Sequence, residues 1–151
     1  MKPCGILLLG VLAVTAQAEE IVIRSGLVRT IPPARRSVVH IDPIELSLVK
    51  GTWQEPQAGL DGWTKIEAGS DGVFSGRPLG GGYVYTTVQS PTARTVILEA
   101  SGHTMVYVNG VPRTGDPYSY GYVSLPIELK AGVNEFLFLC GRGRLAAKLI
   151  E

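Results

Sequence analysis

The chain has 151 residues, 45% of them hydrophobic and 18% charged, with 19 Gly and 10 Pro. That apolar content excludes an intrinsically disordered polyampholyte, and so many Gly and Pro demand turns at a density that a helical bundle does not tolerate. Fourteen Lys and Arg stand against thirteen Asp and Glu; with Lys2 assigned to an export signal the rest is balanced, which disfavours a nucleic-acid binder or a polybasic membrane-surface protein.

Residues 1–18 read as a signal peptide: Met1 and Lys2 give a basic start, Gly5 to Val14 an apolar run, and Ala16-Gln17-Ala18 a small-residue cleavage pattern before Glu19. Export places the protein outside the cytoplasm, periplasmic or secreted. No later stretch has 18 consecutive apolar residues, so no membrane span is expected after cleavage. Removal of Cys4 with the signal leaves Cys140 without an internal disulfide partner, and its place after Phe136-Leu137-Phe138-Leu139 predicts a buried, inert thiol.

Residues 19–52 are expected to form an N-terminal arm, a linker and a short helix. Ile21 to Val28 has the composition of a first strand or a loosely attached arm, and Thr30 to Arg36, with Pro32-Pro33 and Arg35-Arg36, that of a linker. Asp42 as N-cap, Pro43 at the first helical position, Glu45 at capping-box spacing and Gly51 beyond the end predict a helix of about two turns. Ile44, Leu48 and Ile41 are its expected inward residues.

Residues 53–151 read as a β-sandwich domain. Trp53 to Pro56 and Trp63 to Ile66 flank a Gly-rich bend, while Asp71-Gly72 and Gly80-Gly81-Gly82 are turn punctuation. Over Tyr83 to Val88, Val84 and Val88 fall on one face and Tyr83 and Tyr85 on the other; Thr95 to Ala100 sets Val96 and Leu98 against Thr95, Ile97 and Glu99. Thr104 to Val108 leads into Asn109-Gly110, a pair that tolerates the positive φ a type I′ hairpin turn requires. Tyr122 to Leu129 alternates with Val123, Leu125, Ile127 and Leu129 inward, and Pro126 places that strand at an edge or a bulge. Val133 to Cys140, apolar on both faces, predicts a central, doubly covered strand, and Arg144 to Ile150 the last one. About seven strands at intervals of roughly 8 to 12 residues make the fold all-β: a two-sheet antiparallel sandwich with one short helix near the N-terminus.

Three stretches carry a resemblance. Val106-Tyr107-Val108-Asn109-Gly110, then Gly115-Asp116-Pro117-Tyr118, then Leu125 to Glu135 through Lys130-Ala131-Gly132-Val133-Asn134 resemble the galactose-binding-like jelly-roll modules that accompany secreted glycoside hydrolases. Similar modules precede secreted α/β-hydrolase or peptidase domains in environmental bacteria. The resemblance covers about residues 53 to 151 and implies a noncatalytic accessory module, probing a polysaccharide or packing against a catalytic domain. On it the chain is expected to be the N-terminal part, or a fragment, of a larger secreted hydrolase; the alternatives are a freestanding carbohydrate-binding protein and, with least support, a hydrolase in its own right.

The residues that carry chemistry fit that reading. Arg113, Asp116, Tyr118 and Tyr120, with Tyr122 close by, gather within ten residues in a Gly/Pro-rich segment. Sugar rings stack their C–H faces on aromatic rings while charged side chains bind hydroxyls, so these four are the expected ligand-binding residues; the competing reading has the tyrosines cover the end of the sandwich. Trp53 and Trp63 read as core or rim anchors.

Pro117-Tyr118-Ser119-Tyr120-Gly121 misses a G-x-S-x-G nucleophile elbow by its first glycine and lacks the following helix, and His103 reads as a polar turn residue. Glu67, Glu99, Asp116 and Glu128 are the carboxylates on hand for glycoside cleavage, unpaired by sequence alone. Gly141 to Ala146 matches G-x-G-x-x-A, yet too few residues follow for a dinucleotide fold, so a two-glycine hairpin is expected. No catalytic residue, metal site or cofactor is expected; Asp61-Gly62, Asp71-Gly72 and Gly115-Asp116 leave open a structural calcium ion.

Overall fold

The computed structural model describes residues 20–31, 41–116 and 118–151. The export signal and the Pro32-Pro33 linker therefore lie outside the described residues. The strands are β1 (Glu20–Val22), β2 (Ser25–Thr30), β3 (Thr64–Glu67), β4 (Val73–Ser75), β5 (Gly82–Ser90), β6 (Arg94–Ser101), β7 (His103–Val108), β8 (Val111–Thr114), β9 (Ser124–Leu129), β10 (Gly132–Cys140) and β11 (Arg144–Ile150). A single α-helix among the described residues, α1, spans Pro43–Val49.

The apolar run that ends at Cys140 becomes the middle of a six-stranded antiparallel sheet ordered β3-β2-β5-β10-β7-β8. Because successive side chains on a strand point to opposite faces, Phe136, Phe138 and Cys140 enter one apolar cluster and Leu137 and Leu139 another. β5 divides in the same way, with Val84 and Val88 in the first cluster and Tyr83 and Tyr85 in the second. The first cluster is the sandwich core, closed from the other side by Val96, Leu98, Ile127, Leu129, Leu145 and Leu149 of the five-stranded sheet β1-β11-β6-β9, in which β4 also pairs with β11. Pro126 sits where β9 forms the edge of that sheet, opposite Ile97, and so removes no donor that a further strand would use.

The second cluster makes a third layer. α1 and the 50–63 segment cover the outer face of the six-stranded sheet, with Ile44, Leu48, Trp53 and Trp63 packed on Tyr83, Tyr85, Tyr107 and Leu137. Trp53 meets Trp63 edge to face at 6.4 Å and Tyr85 at 6.2 Å, so both indoles anchor this layer. Asp42 caps α1 as its sequence predicts: Oδ1 accepts from the backbone N–H of Ile44 at 2.8 Å and of Glu45 at 3.3 Å. Its other oxygen accepts from the Tyr83 hydroxyl at 2.9 Å, which ties the helix start to the sheet. Ile41, expected inward, is 69% exposed because it precedes the cap and lies outside the helix.

The stretch Ile21 to Val28 is not one strand. The chain changes sheets at Ile23: β1 pairs with β11, and β2 inserts between β3 and β5. Ile23 itself is buried and donates its N–H to Ala147 O at 3.0 Å, so this segment is integral to both sheets.

The two marks of the resemblance prove to be one structure. Asn109 and Gly110 have φ of 50° and 81° at the β7–β8 turn. Asn109 Nδ2 donates to Asn134 Oδ1, and the N–H of Glu135 donates to Asn109 Oδ1, each at 3.0 Å. Asn134 is fully buried; it also accepts from Lys130 N and donates to the carbonyls of Lys130 and Gly132. Two asparagines thus lock the β7–β8 hairpin to the β9–β10 turn with their polar groups satisfied.

Candidate binding surface

After β8 the chain passes Gly115 and Asp116 before the tyrosine loop. A Cβ at Gly115 would stand 2.7 Å from the backbone N of Met105, so only glycine lets the loop leave so close to β7. Asp116 follows, 4% exposed. Its Oδ1 accepts from the N–H of Tyr120 at 3.2 Å and its Oδ2 from that of Gly121 at 2.6 Å. Its carbonyl accepts from Gly102 N and Ser119 N, both at 3.2 Å. With its oxygens turned on the backbone, Asp116 shapes the loop.

The tyrosines project outward: Tyr118, Tyr120 and Tyr122 are 59%, 65% and 84% exposed. They form a ladder, with Tyr118 stacked on Tyr120 at 5.7 Å between centroids and Tyr120 tilted on Tyr122 at 5.5 Å. The Arg142 guanidinium lies 5.0 Å from the centre of the Tyr118 ring, a cation–π contact from the β10–β11 hairpin. Tyr120 is engaged by a ring on each sequence side, whereas Tyr122 touches Tyr120 alone among the described rings and keeps a face open. Arg142 and Tyr122 therefore belong to this surface although neither was among the expected ligand-binding residues. Arg142 was hidden in a Gly-x-Gly hairpin, and only folding brings that hairpin beside the loop.

Beside the loop, a groove of about 400 Å³ runs over the outer face of the five-stranded sheet. Gly121 and Val123 form its rim next to the tyrosines, and Glu20, Arg24, Asp71, Glu99, Ser101 and Lys148 give it a polar lining. Lys148 Nζ is 3.3 Å from both Glu99 Oε2 and Glu20 Oε2. Hydrogen bonding to Glu99 and then to Glu20 raises the Lys148 pKa. The groove thus combines neighbouring donors and acceptors with an aromatic margin.

Arg113 stands elsewhere. It lines a separate groove of about 410 Å³ between the sheet edges, with Val111 from β8 and Pro126 and Glu128 from β9. Of the four expected binding residues, the fold joins Tyr118 and Tyr120 directly, places Asp116 beneath them as an anchor, and sets Arg113 in another groove. Glu99 and Glu128 line different grooves, and Asp116 is buried against backbone amides.

His103, expected in a turn, begins β7 and is fully buried, its ring edge-on to Phe138 at 5.5 Å. Neither ring nitrogen has a hydrogen-bond partner among the described residues. Burial lowers its pKa to about 4, against the opposing pull of the Asp116 carboxylate. Ser119 is exposed with φ of 59°, and no hydrogen bond links it to His103 among the described residues. Cys140 is buried and burial pushes its thiol up to about 12, so it is un-ionised at neutral pH. Of the turn aspartates, Asp71 accepts from Val73 N at 3.1 Å, and no group of three His, Cys, Asp or Glu suited to a metal ion occurs among the described residues. No helix among them is long and apolar enough to cross a membrane.

No family model and no curated protein matches the chain. Among solved structures, that of an exo-β-1,3-galactanase from Phanerochaete chrysosporium with β-1,3-galactotriose is similar at 23% identity over 57% of this chain and 25% of that one, with a TM-score of 0.33. The same enzyme with galactose gives 24% identity over the same shares and a TM-score of 0.32. The chain spans about a quarter of the length of these structures.

Proposed function

We propose that the protein is an exported, noncatalytic β-sandwich module that binds carbohydrate at the tyrosine ladder and the groove beside it, as an accessory to a larger hydrolase. The observation that carries this reading is the exposed Tyr118–Tyr120–Tyr122 ladder held from below by Asp116. Holding three large aromatic rings in water is unfavourable unless a ligand covers them, and a loop fixed by buried hydrogen bonds loses little further entropy when it binds. The open face of Tyr122 suits the C–H face of a sugar ring, and Glu99, Lys148 and Arg24 in the groove supply acceptors and donors for its hydroxyls.

Export rests on residues 1–18 and the accessory role on the resemblance of residues 53–151. The test is a calorimetric titration of the mature chain with plant, algal and bacterial polysaccharides and their oligomers. Binding that falls about tenfold in Tyr122→Ala is expected, the scale of one aromatic contact. Silence across the panel refutes carbohydrate binding, and glycan cleavage by the purified chain refutes the noncatalytic part.

A further inference from the structure

The 50–63 segment leaves a groove of about 290 Å³ between itself and α1. It opens on the outer face of the six-stranded sheet, on the opposite side of the sandwich from the groove beside the tyrosines. Trp53 forms part of its wall, half-buried and fixed in orientation by its contacts with Trp63 and Tyr85. Arg29, Gln54, Gln57 and Asp61 line the same groove as the indole. The loop that carries three of these side chains is ordered by its own backbone: Gly59 N donates to Trp63 O at 2.7 Å, Trp63 N to Leu60 O at 2.9 Å and Leu60 N to Gln57 O at 3.1 Å.

The lining selects a ligand class. Among the described lining residues Arg29 alone is basic, against Asp61 and Glu55, so an anion meets net repulsion. A wholly apolar ligand would strip water from two amides and three charges without replacing their hydrogen bonds. A neutral, polyhydroxylated ring avoids both penalties, because it lays C–H bonds on an indole and offers hydroxyls to amide, carboxylate and guanidinium alike. The groove is at the lower end of the ~300–1,000 Å³ range of small-molecule sites, which admits a short ligand and not a folded chain.

We propose that this groove is a second binding site, taking one neutral pyranose unit against Trp53, so that the module holds sugars on two opposite sides. The site is independent of the tyrosine ladder, and either can fail without the other. The chain has two tryptophans and both line this groove, Trp53 half-buried and Trp63 buried, so tryptophan emission reports on a ligand here. Tryptophan emission is followed while methyl pyranosides of glucose, galactose, mannose and xylose are added to the whole mature chain.

A saturable shift with at least one of them is expected, weakened about tenfold in Asp61→Asn and in Gln57→Ala and unchanged in Tyr122→Ala. Asp61 has φ of 49°, which Asn also tolerates, so that substitution removes charge while keeping the turn. Circular dichroism checks that both variants fold, and Asp61→Asn keeps the test sharp where Gln57→Ala does not. No shift with any probe up to millimolar concentration overturns the proposal. So does a shift that survives Asp61→Asn intact, or one abolished by Tyr122→Ala.

Discussion

Acidification should weaken the fold through His103, by an amount that one substitution isolates. The imidazole is fully buried beside Phe138, with Cys140 opposite it across the sheet and the Asp116 carboxylate as the nearby charge. Burial holds its pKa at about 4, below the 6.5 of an exposed histidine. The sign follows from proton counting. Between these two values the unfolded chain carries a proton on His103 that the folded chain refuses, so acid favours unfolding there. The contribution is fully present above 6.5, declines as pH falls, and is exhausted near 4, where both states are protonated. At 1.36 kcal/mol per pH unit the whole window is worth about 3 kcal/mol, most of it above about pH 4.5. That is a large share of the ~5–15 kcal/mol that a domain of this size holds in total. Urea denaturation of wild type and His103→Leu at about pH 7 and about pH 4.5 measures it, because carboxylate effects are common to both proteins and cancel in the difference. The wild type should lose about 2–3 kcal/mol more than the variant on acidification. At neutral pH the leucine should be neutral or stabilising by about 1 kcal/mol, since it removes two desolvated nitrogens that lack partners among the described residues. Equal acid sensitivity in the two proteins would refute the reasoning, and so would a marked loss of stability in His103→Leu at neutral pH.

The other expectations follow from single contacts. Tyr122→Ala, at a position 84% exposed, should lower carbohydrate affinity while leaving thermal stability within about 0.5 kcal/mol, read by calorimetry and by melting. Asp116→Ala deprives the N–H groups of Tyr120 and Gly121 of their acceptor; it should cost about 1–3 kcal/mol and raise hydrogen exchange at those two amides. Asn134→Ala removes the amide–amide bond to Asn109 and the three side-chain bonds that close the β9–β10 turn, leaving only the Glu135 N–H to Asn109 Oδ1 bond between the hairpins, and should cost about 3 kcal/mol or more in denaturant titration. Asp42→Ala should cost about 1 kcal/mol for the cap, and Tyr83→Phe a smaller amount, with non-additive effects in the double mutant because one carboxylate serves both groups.

Long alternating strands declared themselves in the sequence because burial on one or both faces writes a period of two. β5, β6, β10 and β11 are long enough to show it, and on β5 the valines and the tyrosines fall on opposite faces. β1, β3, β4 and β8 are three or four residues long, too short for a period to stand out from chance, so the expectation of about seven strands fell short of the eleven described. The change of sheet at Ile23 left no mark of its own, since an apolar residue buried at a corner looks in sequence like one more member of a strand. The cap of α1 was legible because its signal is local: Asp42, Pro43 and Glu45 act on amides within three positions of themselves.

The binding surface divides along the same line between local and distant. Tyr118, Tyr120 and Tyr122 lie within one short segment, so their clustering is legible in the sequence; that their rings stack on one another is not. Asp116 and Arg113 are charged residues close to the tyrosines in sequence, and composition alone gave them the same role. The structure separates them by what surrounds each: backbone amides converge on Asp116, while Arg113 lies on a strand leading away into another groove. Arg142 and Lys148 arrive from a hairpin and a strand twenty or more positions from the tyrosines, Lys148 through the pairing of β11 with β6. The same pairing sets Lys148 opposite Glu99, so a slip of one residue would turn Lys148 inward, replace it at the surface with Leu149, and dismantle the groove. The polar face and the apolar core are therefore fixed by one register, and a substitution that disturbs Leu145 or Leu149 in the core should reach the groove without touching it.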